Sequence, residues 1–545
     1  MLIYVNTGNL VCNSCGVIPI NERVNSIFMD TDWRNEPIDW FEKGIVFDSP
    51  SFMLSDNGFE AVFLPTNYLG EIYYYQDSEN EIICFSDDLF ELAKAYGINE
   101  ANNIASFSTS WEGCLPPGET CNSSIRRLQP HSAYVIRNNL LVRYQLPIFD
   151  LSHLGKAQLY ENFKVRLGLL LEQKTASKIG LCLSGGADSR LLAMLLTEQG
   201  ASVDSFCSSF TKDMRQCECG LAGEVADIIG IDFTPVVLFD NDWTSENLKK
   251  IVARMPESAH TSIPFLKISE KIGNNYDTIL SGQNADGFSG FAATDKVEFS
   301  FHGLLGLFKR VCLSSAYLKG YPDVENGTVL NYIFKSLVNV LGSSAYSQLK
   351  NRIVESPRSA NQLVFNFYNS YDYTVFSEQK SDFPISDDVM SCRNVWSCLF
   401  SGMIDHLCKS GAPDIIRTTM NLSRERDVVL PYSDEWVIPI FYSQFYGLNY
   451  IVHPKSMIYS YVNELAQKTD KRLSRFDPKD FGLPKTNFNI HEYYCHVIET
   501  TQLGHYLTGY SKSPLKQKGE TFAEFFRRLL IECWGMETEN YLKMI

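Results

Sequence analysis

The sequence predicts a chain of mixed α/β and α+β class. A β-rich region spans residues 1–150. A region with a parallel sheet and a helical C-terminal part spans residues 151–545. Three observations carry this. Apolar runs flank short polar turns before residue 150, apolar strands alternate with amphipathic helices from about 155 to 280, and helical patterns dominate from about 300 onward.

In the first region, Ile72-Tyr73-Tyr74-Tyr75-Gln76 and Ile82-Ile83-Cys84-Phe85-Ser86 flank Asp77-Ser78-Glu79-Asn80, which reads as a hairpin of β-branched and aromatic residues around a polar turn. Ala133-Tyr134-Val135-Ile136 and Leu140-Leu141-Val142-Arg143-Tyr144 flank Arg137-Asn138-Asn139 in the same manner. The period changes near residue 155, where Tyr160, Phe163, Leu167 and Leu170-Leu171 share one face of a long helix. Strands are then predicted at Ile179–Leu183, Val203–Cys207, Phe233–Leu238 and Thr278–Leu280. Helices are predicted through Arg190–Leu196, Leu221–Ile229 and Phe265–Ile272. Such alternation implies parallel strands with crossover helices, and in such sheets ligands bind beyond the C-terminal strand ends.

Composition narrows the function classes. A hydrophobic share of 45% in 545 residues supports a large core and argues against extensive disorder. The net charge of −16 makes a nucleic-acid partner unexpected without a basic patch, and none stands out. No apolar run reaches membrane-spanning length; the nearest candidate, around Gly303-Leu304-Leu305-Gly306-Leu307-Phe308, is too short and is ended by Lys309-Arg310. Met1-Leu2-Ile3-Tyr4 lacks the basic start of a secretion signal, so a cytoplasmic protein without membrane partners is expected. The 15 cysteines are an odd number, and free thiols are expected over disulfides in that compartment. Cys12-x-x-Cys15 and Cys217-x-Cys219 lack the paired spacing of a zinc finger or ribbon, so no zinc is expected.

The chemistry concentrates in Ser184-Gly185-Gly186-Ala187-Asp188-Ser189, placed between a predicted buried strand and a predicted helix. Gly185 and Gly186 let the backbone come close to a phosphate, and the helix start offers unpaired N–H groups and a positive dipole to an anion. Ser184 and Ser189 add hydroxyl donors, and Asp188 adds a carboxylate suited to Mg²⁺ beside phosphate oxygens. The pattern is neither GxxxxGK[ST] nor GxGxxG; it matches SGGxDS, the pyrophosphate loop of enzymes that split ATP into AMP and pyrophosphate. The plain alternative is a Gly/Ser-rich surface turn, against which the strand and helix context argues. Ser281-Gly282-Gln283-Asn284-Ala285-Asp286-Gly287 follows a second predicted strand end. Two such loops, each with an Asp, can supply two carboxylates to one magnesium–pyrophosphate group.

These motifs resemble the asparagine synthetase family, whose members join an N-terminal Ntn-type glutaminase domain to a synthetase domain carrying SGGxDS and then SGEGxDE. Ser281 to Gly287 is similar to the latter, with Gln283 and Gly287 where the family has glutamates and Asp286 retained. Cys219 to Ala226, Ser262-Ile263-Pro264-Phe265 and Leu430-Pro431-Tyr432-Ser433-Asp434 also resemble that domain, the last its P-F-L-D. Arg475 to Pro484 looks like its R-x-K-x-G-F-x-x-P segment after a gap. The resemblance implies an adenine-nucleotide α-hydrolase-like domain over 151–545 that uses ATP and Mg²⁺. By it, Asp188 and Asp286 hold magnesium, and Ser184, Gly185, Gly186 and Ser189 hold pyrophosphate. Leu183, Ser208, Ser281 and Gly282 are assigned to the nucleotide, and Lys479 is the cation that stabilises charge in adenylation and amide formation. Lys471, Lys485 and Lys455, in that order, are the next lysines for that role.

In the N-terminal region, Gly113-Cys114-Leu115-Pro116-Pro117-Gly118-Glu119-Thr120, Ile125 to Pro130 and Phe85-Ser86-Asp87-Asp88-Leu89 resemble the glutaminase domain. Position 2 is Leu2 where the nucleophilic cysteine belongs, and Leu69 to Tyr74 mimics the glutamine-recognition segment in the wrong place. The expectation is a degenerate Ntn-like β-rich sandwich over 1–150 that does not hydrolyse glutamine. The chain as a whole is then expected to be an ATP-dependent amide ligase, taking ammonia or an amine to a small-molecule or peptide carboxylate, as the related β-lactam synthetases and lasso-peptide cyclases take an amine. Two alternatives stay open. One is glutamine-dependent transfer through a separate glutaminase, for instance onto a uronic-acid sugar; the other is an inactive nucleotide-binding scaffold. A homodimer also stays open.

Overall fold

The computed structural model describes residues 2–6, 9–12, 51–55, 58–64, 72–77, 82–86, 88–102, 118, 120–129, 132–137, 140–145, 151, 154–253, 263–285, 427–434, 437–444, 455–475, 478–481, 483, 489–511, 514–517 and 522–545. The strands of the N-terminal region are β1 (Leu2–Asn6), β2 (Asn9–Cys12), β3 (Ser51–Ser55), β4 (Gly58–Leu64), β5 (Tyr73–Asp77), β6 (Ile82–Ser86), β7 (Ile125–Arg127), β8 (Ser132–Arg137) and β9 (Leu140–Gln145). They form two antiparallel sheets, ordered β2-β1-β6-β5-β7 and β3-β4-β8-β9. Both expected hairpins are present: Tyr75 pairs with Cys84 in β5–β6, and Val135 pairs with Val142 in β8–β9. After β6, Asp88 caps helix α1 (Leu89–Ala95), its carboxylate accepting from the amides of Phe90 and Glu91.

The larger sheet is parallel throughout. Its strands are β10 (Ile179–Cys182), β11 (Val203–Ser209), β12 (Asp232–Val237), β13 (Thr278–Ser281) and β14 (Asp427–Val429), in the order β12-β11-β10-β13-β14. Between them run α2 (Lys156–Glu172, ahead of β10), α3 (Ala187–Glu198), α4 (Glu218–Ile229), α5 (Ser245–Val252) and α6 (Ile263–Ile272). The C-terminal part adds α7 (Val437–Gln444), α8 (Ser456–Lys468), α9 (Ile490–Thr500), α10 (Gln502–Tyr510) and α11 (Phe522–Met544). Register is continuous across the centre: Leu181 lies beside Ser205 on one side and Leu280 on the other. The strand order runs outward from β10 in both directions, so the topological switch falls at β10 and β13.

Both faces of this sheet are covered, as a parallel sheet requires. Leu181 and Leu280 face a core built with Leu167 and Leu171 of α2, Leu192 and Leu195 of α3, Val225 of α4, Phe441 of α7 and Val462 of α8. Ile279, Phe206, Val236 and Val428 point the other way, onto Ile268 and Ile272 of α6. A separate core joins the two ends of the chain: Tyr73, Leu89, Phe90 and Leu92 pack with Trp243, Leu248, Leu503, Phe526, Leu529 and Trp534. Trp243 is fully buried and donates its indole N–H to the Tyr493 hydroxyl at 2.8 Å. No helix of the described residues is long and apolar enough to cross a membrane.

Candidate functional site

The site forms where β10 and β13 end side by side. The Leu183 amide still pairs with the Phe206 carbonyl at 2.9 Å, and the chain then turns away. Gly185 makes the turn at φ +76°, a conformation a side chain would strain. A Cβ there would also lie 2.8 Å from Leu221 and 2.9 Å from the Ala222 amide nitrogen. Gly186 caps α3 and has no side chain to accept from the first-turn amides, at the kind of helix start that favours an anion. Two hydroxyls close the loop on itself: Ser189 Oγ accepts from the Ser184 amide and lies 3.1 Å from Ser184 Oγ.

The second loop abuts the first through Gly282. A Cβ on Gly282 would come within 2.9 Å of the Ser189 amide nitrogen and 3.2 Å of Asp188 Cβ, so glycine is what permits the approach. Asn284 stands at φ +71°, a position where asparagine can replace the glycine of the resembling motif. Its side-chain amide donates to Ser433 Oγ at 2.6 Å, which ties this loop to the Leu430–Asp434 segment. That segment also supports the first loop, since the Tyr432 hydroxyl donates to the Asp188 carbonyl at 2.9 Å. Full burial, with the nearby Asp188 charge second, holds the Tyr432 phenol well above its usual range and thus as a neutral donor. Beneath it, Arg166 grips Asp434 with two hydrogen bonds, at 2.9 and 3.1 Å.

A cavity of about 670 Å³ opens over these loops. Its polar lining includes Ser184, Asp188, Ser189, Ser208, Ser281, Gln283 and Asn284; its apolar lining includes Leu183, Phe206, Phe210, Phe265 and Ile268. Cys182, which also lines it, has its thiol pushed up to about 12 by burial and stays protonated. This mixture of hydroxyl, carboxylate and aromatic lining suits a ligand with an anionic part and a flat apolar part.

Of the residues singled out from sequence, Leu183, Ser184, Asp188, Ser189, Ser208, Ser281 and Gly282 all line this one cavity, and Gly185 and Gly186 form the turn beside it. Asp286 lies outside the described residues. Lys479 falls in the single 3-10 turn Pro478–Phe481, and its side chain lies outside the described residues. The lysine that reaches the loop among the described residues is Lys455, whose Nζ is 2.6 Å from Asp188 Oδ2 with both side chains largely shielded. Sequence reasoning ranked that lysine last. Nothing local in the sequence marks it: Lys455 stands just ahead of α8 with φ +60°, and its partner Asp188 is distant in the chain.

The Asp188 carboxylate, an oxygen donor on the cavity wall, suits a magnesium ion. Among the described residues, no group of three or more His, Cys, Asp or Glu side chains is arranged to hold a metal.

The fold and loop together define a nucleotide-loop α/β domain. Residues 172–308 match the family model described as asparagine synthase. The match covers both strand-end loops and the helices between them. Members of that family are ligase-type enzymes that use ATP. No curated protein matches the chain.

Proposed function

We propose that the chain is an ATP-dependent ligase that joins a nitrogen nucleophile to a carboxylate through an acyl-adenylate. The observation that carries this reading is the contact of two strand-end loops at Gly282, beside a carboxylate that faces the cavity and holds a lysine. The substrate carboxylate oxygen attacks the α-phosphorus of ATP, the bond to the bridging oxygen breaks, and pyrophosphate leaves. The nitrogen then attacks the acyl carbon, AMP departs with the bonding pair, and the nitrogen loses a proton. Ser184, Ser189 and the Gly185–Gly186 backbone are assigned to the departing pyrophosphate, where fixed donors act on charge as it develops. Leu183, Ser208, Ser281 and Gly282 are assigned to the nucleoside. Asp188 and Asp286 would hold magnesium, which supplies charge neutralisation at the leaving group. Lys455 brings a compact cation to the same place. Lys479 keeps the role the family resemblance gives it, nearer the acyl centre.

The nitrogen source in this reading is free ammonia or an amine on the substrate. A small-molecule or peptide carboxylate is the acceptor, and the N-terminal region serves as a degenerate glutaminase-like support over residues 1–150. The test is product analysis. The pure protein is given ATP, magnesium, a carboxylate panel and either ammonia, an amine panel or glutamine. AMP and pyrophosphate in equal amounts, with an amide product from ammonia or an amine, support the reading. Amide from glutamine alone would transfer the assignment to a glutamine-dependent enzyme, and ADP with orthophosphate would reject adenylation.

A further inference from the structure

We propose that Arg190 is a positioning residue that fixes the direction of the phosphate-loop amide at Gly186 and couples that loop to the Leu473–Phe481 segment carrying Lys479. What the coupled unit does rests on the ligase reading above; that it is coupled rests on geometry alone. Arg190 is 0% exposed and is among the largest fully buried side chains of the described residues. Its Nη2 donates to the Gly185 carbonyl at 2.6 Å. Its Nη1 donates to the Leu473 carbonyl at 2.7 Å and to the Arg475 carbonyl. The guanidinium carbon lies 5.6 Å from the centroid of the Phe481 ring. One side chain thus holds the phosphate loop and two single-turn 3-10 segments, Lys471–Ser474 and Pro478–Phe481.

Two physical points give this clamp a function. The Gly185 carbonyl and the Gly186 N–H belong to one planar trans peptide and point in opposite directions. Arg190 draws the carbonyl inward, so the Gly186 N–H is turned outward, where it donates to Ser184 Oγ at 3.3 Å on the exposed side of the loop. Gly185, with its free choice of backbone conformation, would not hold that orientation unaided. Single 3-10 turns, in turn, have little stability of their own and sit where tertiary contacts put them. A planar fork reaches carbonyls on two separate segments at once, which an ammonium does not. Burying a cation is costly, and burial lowers this guanidinium to about 10; a hydrophobic residue would fill the space at less cost. The arginine therefore contributes orientation more than stability.

The experiment compares wild type, Arg190→Lys and Arg190→Met. Amide hydrogen exchange of peptides covering 471–483 is measured, with thermal midpoints and calorimetric binding of magnesium pyrophosphate. Both variants are expected to raise exchange in 471–483 and to weaken pyrophosphate binding by about tenfold or more, the scale of one charge-assisted hydrogen bond or more lost. Arg190→Lys should keep the wild-type thermal midpoint within a few degrees, so a failure of Arg190→Met to fold leaves the test intact. In steady-state assays Arg190→Lys should lower kcat more than it changes KM for the carboxylate, because the misplaced groups act mainly in the transition state. A folded Arg190→Lys with unchanged 471–483 exchange and wild-type pyrophosphate affinity would overturn the proposal. Exchange raised evenly over the whole chain would overturn it too, by showing a general loss of stability. If wild type itself binds no pyrophosphate, the ligase reading fails, and exchange in 471–483 still decides the clamp.

Discussion

Asp188 joins three parts of the site. Its carbonyl accepts from Tyr432, its Oδ2 from Lys455 Nζ, and its Cβ faces Gly282. The substitution Asp188→Asn keeps the shape and removes the charge, so it is expected to abolish AMP formation with the thermal midpoint little changed. Chromatographic quantitation of AMP checks this, and wild-type AMP release would remove the residue from the chemistry. The proposed chemistry gives the electrostatic role to two lysines, Lys455 and Lys479. Lys455→Ala is expected to lower kcat by about 10²–10³, the scale of one lost electrostatic stabiliser, with poor rescue by Lys455→Arg. Near-wild-type turnover in Lys455→Ala, with a large loss in Lys479→Ala, would assign that role to Lys479 alone. The phosphate-loop serines and Asp188 were legible because strand, turn and helix are consecutive in the chain. Lys455 was not, because its partner is 267 positions away and only tertiary folding joins them.

At the scale of elements, the site depends on how closely two loops approach. Gly282→Ala would place a methyl within 2.9 Å of the Ser189 backbone nitrogen, an atom that cannot swing aside as a side-chain tip can. The loops must part, and a loss of at least about tenfold in kcat/KM is expected, since small misplacements of reacting groups are expensive in rate. A wild-type kcat/KM would show that the approach of the two loops is not needed. Strands β10 to β13 and helices α2, α3, α4 and α6 were readable because each carries several apolar residues at one period. Strand β14 was not: Asp427-Val428-Val429 stands outside the strand–helix alternation of residues 155–280, and its partner β13 lies about 150 residues earlier. Helix α5 was also missed, although Leu248, Ile251 and Val252 are buried on one face. Thr244 caps it, a signal that a search for Thr ahead of the apolar run could have found.

For the whole molecule, residues from both sides of position 150 share one core. Phe90 of the N-terminal region packs on Tyr541 of α11 with ring centroids 4.4 Å apart, and Trp534 is fully buried in the same cluster. Trp534→Ala is therefore expected to cost about 3–5 kcal/mol and to loosen both ends of the chain in one transition, as read by near-ultraviolet dichroism and denaturant titration. Two separate transitions would contradict a shared core. Alkali gives a second test. Burial raises the Cys84 thiol to about 11 and the Cys533 thiol to about 12, from an ordinary 9.0. These groups keep their protons in the folded state while the unfolded chain loses them, so their contribution is complete below pH 9 and declines as pH rises towards 12. The denaturation midpoint should accordingly be lower at pH 10.5 than at pH 8; an unchanged midpoint would contradict the burial. The adenylation chemistry proposed for the two-loop site is tested most directly by carboxylate-dependent exchange of labelled pyrophosphate into ATP, measured side by side in wild type and Asp188→Asn. Exchange that requires a carboxylate and vanishes in Asp188→Asn is the predicted result. Formation of ADP in place of exchange, or exchange that is equal in the two proteins, would contradict it.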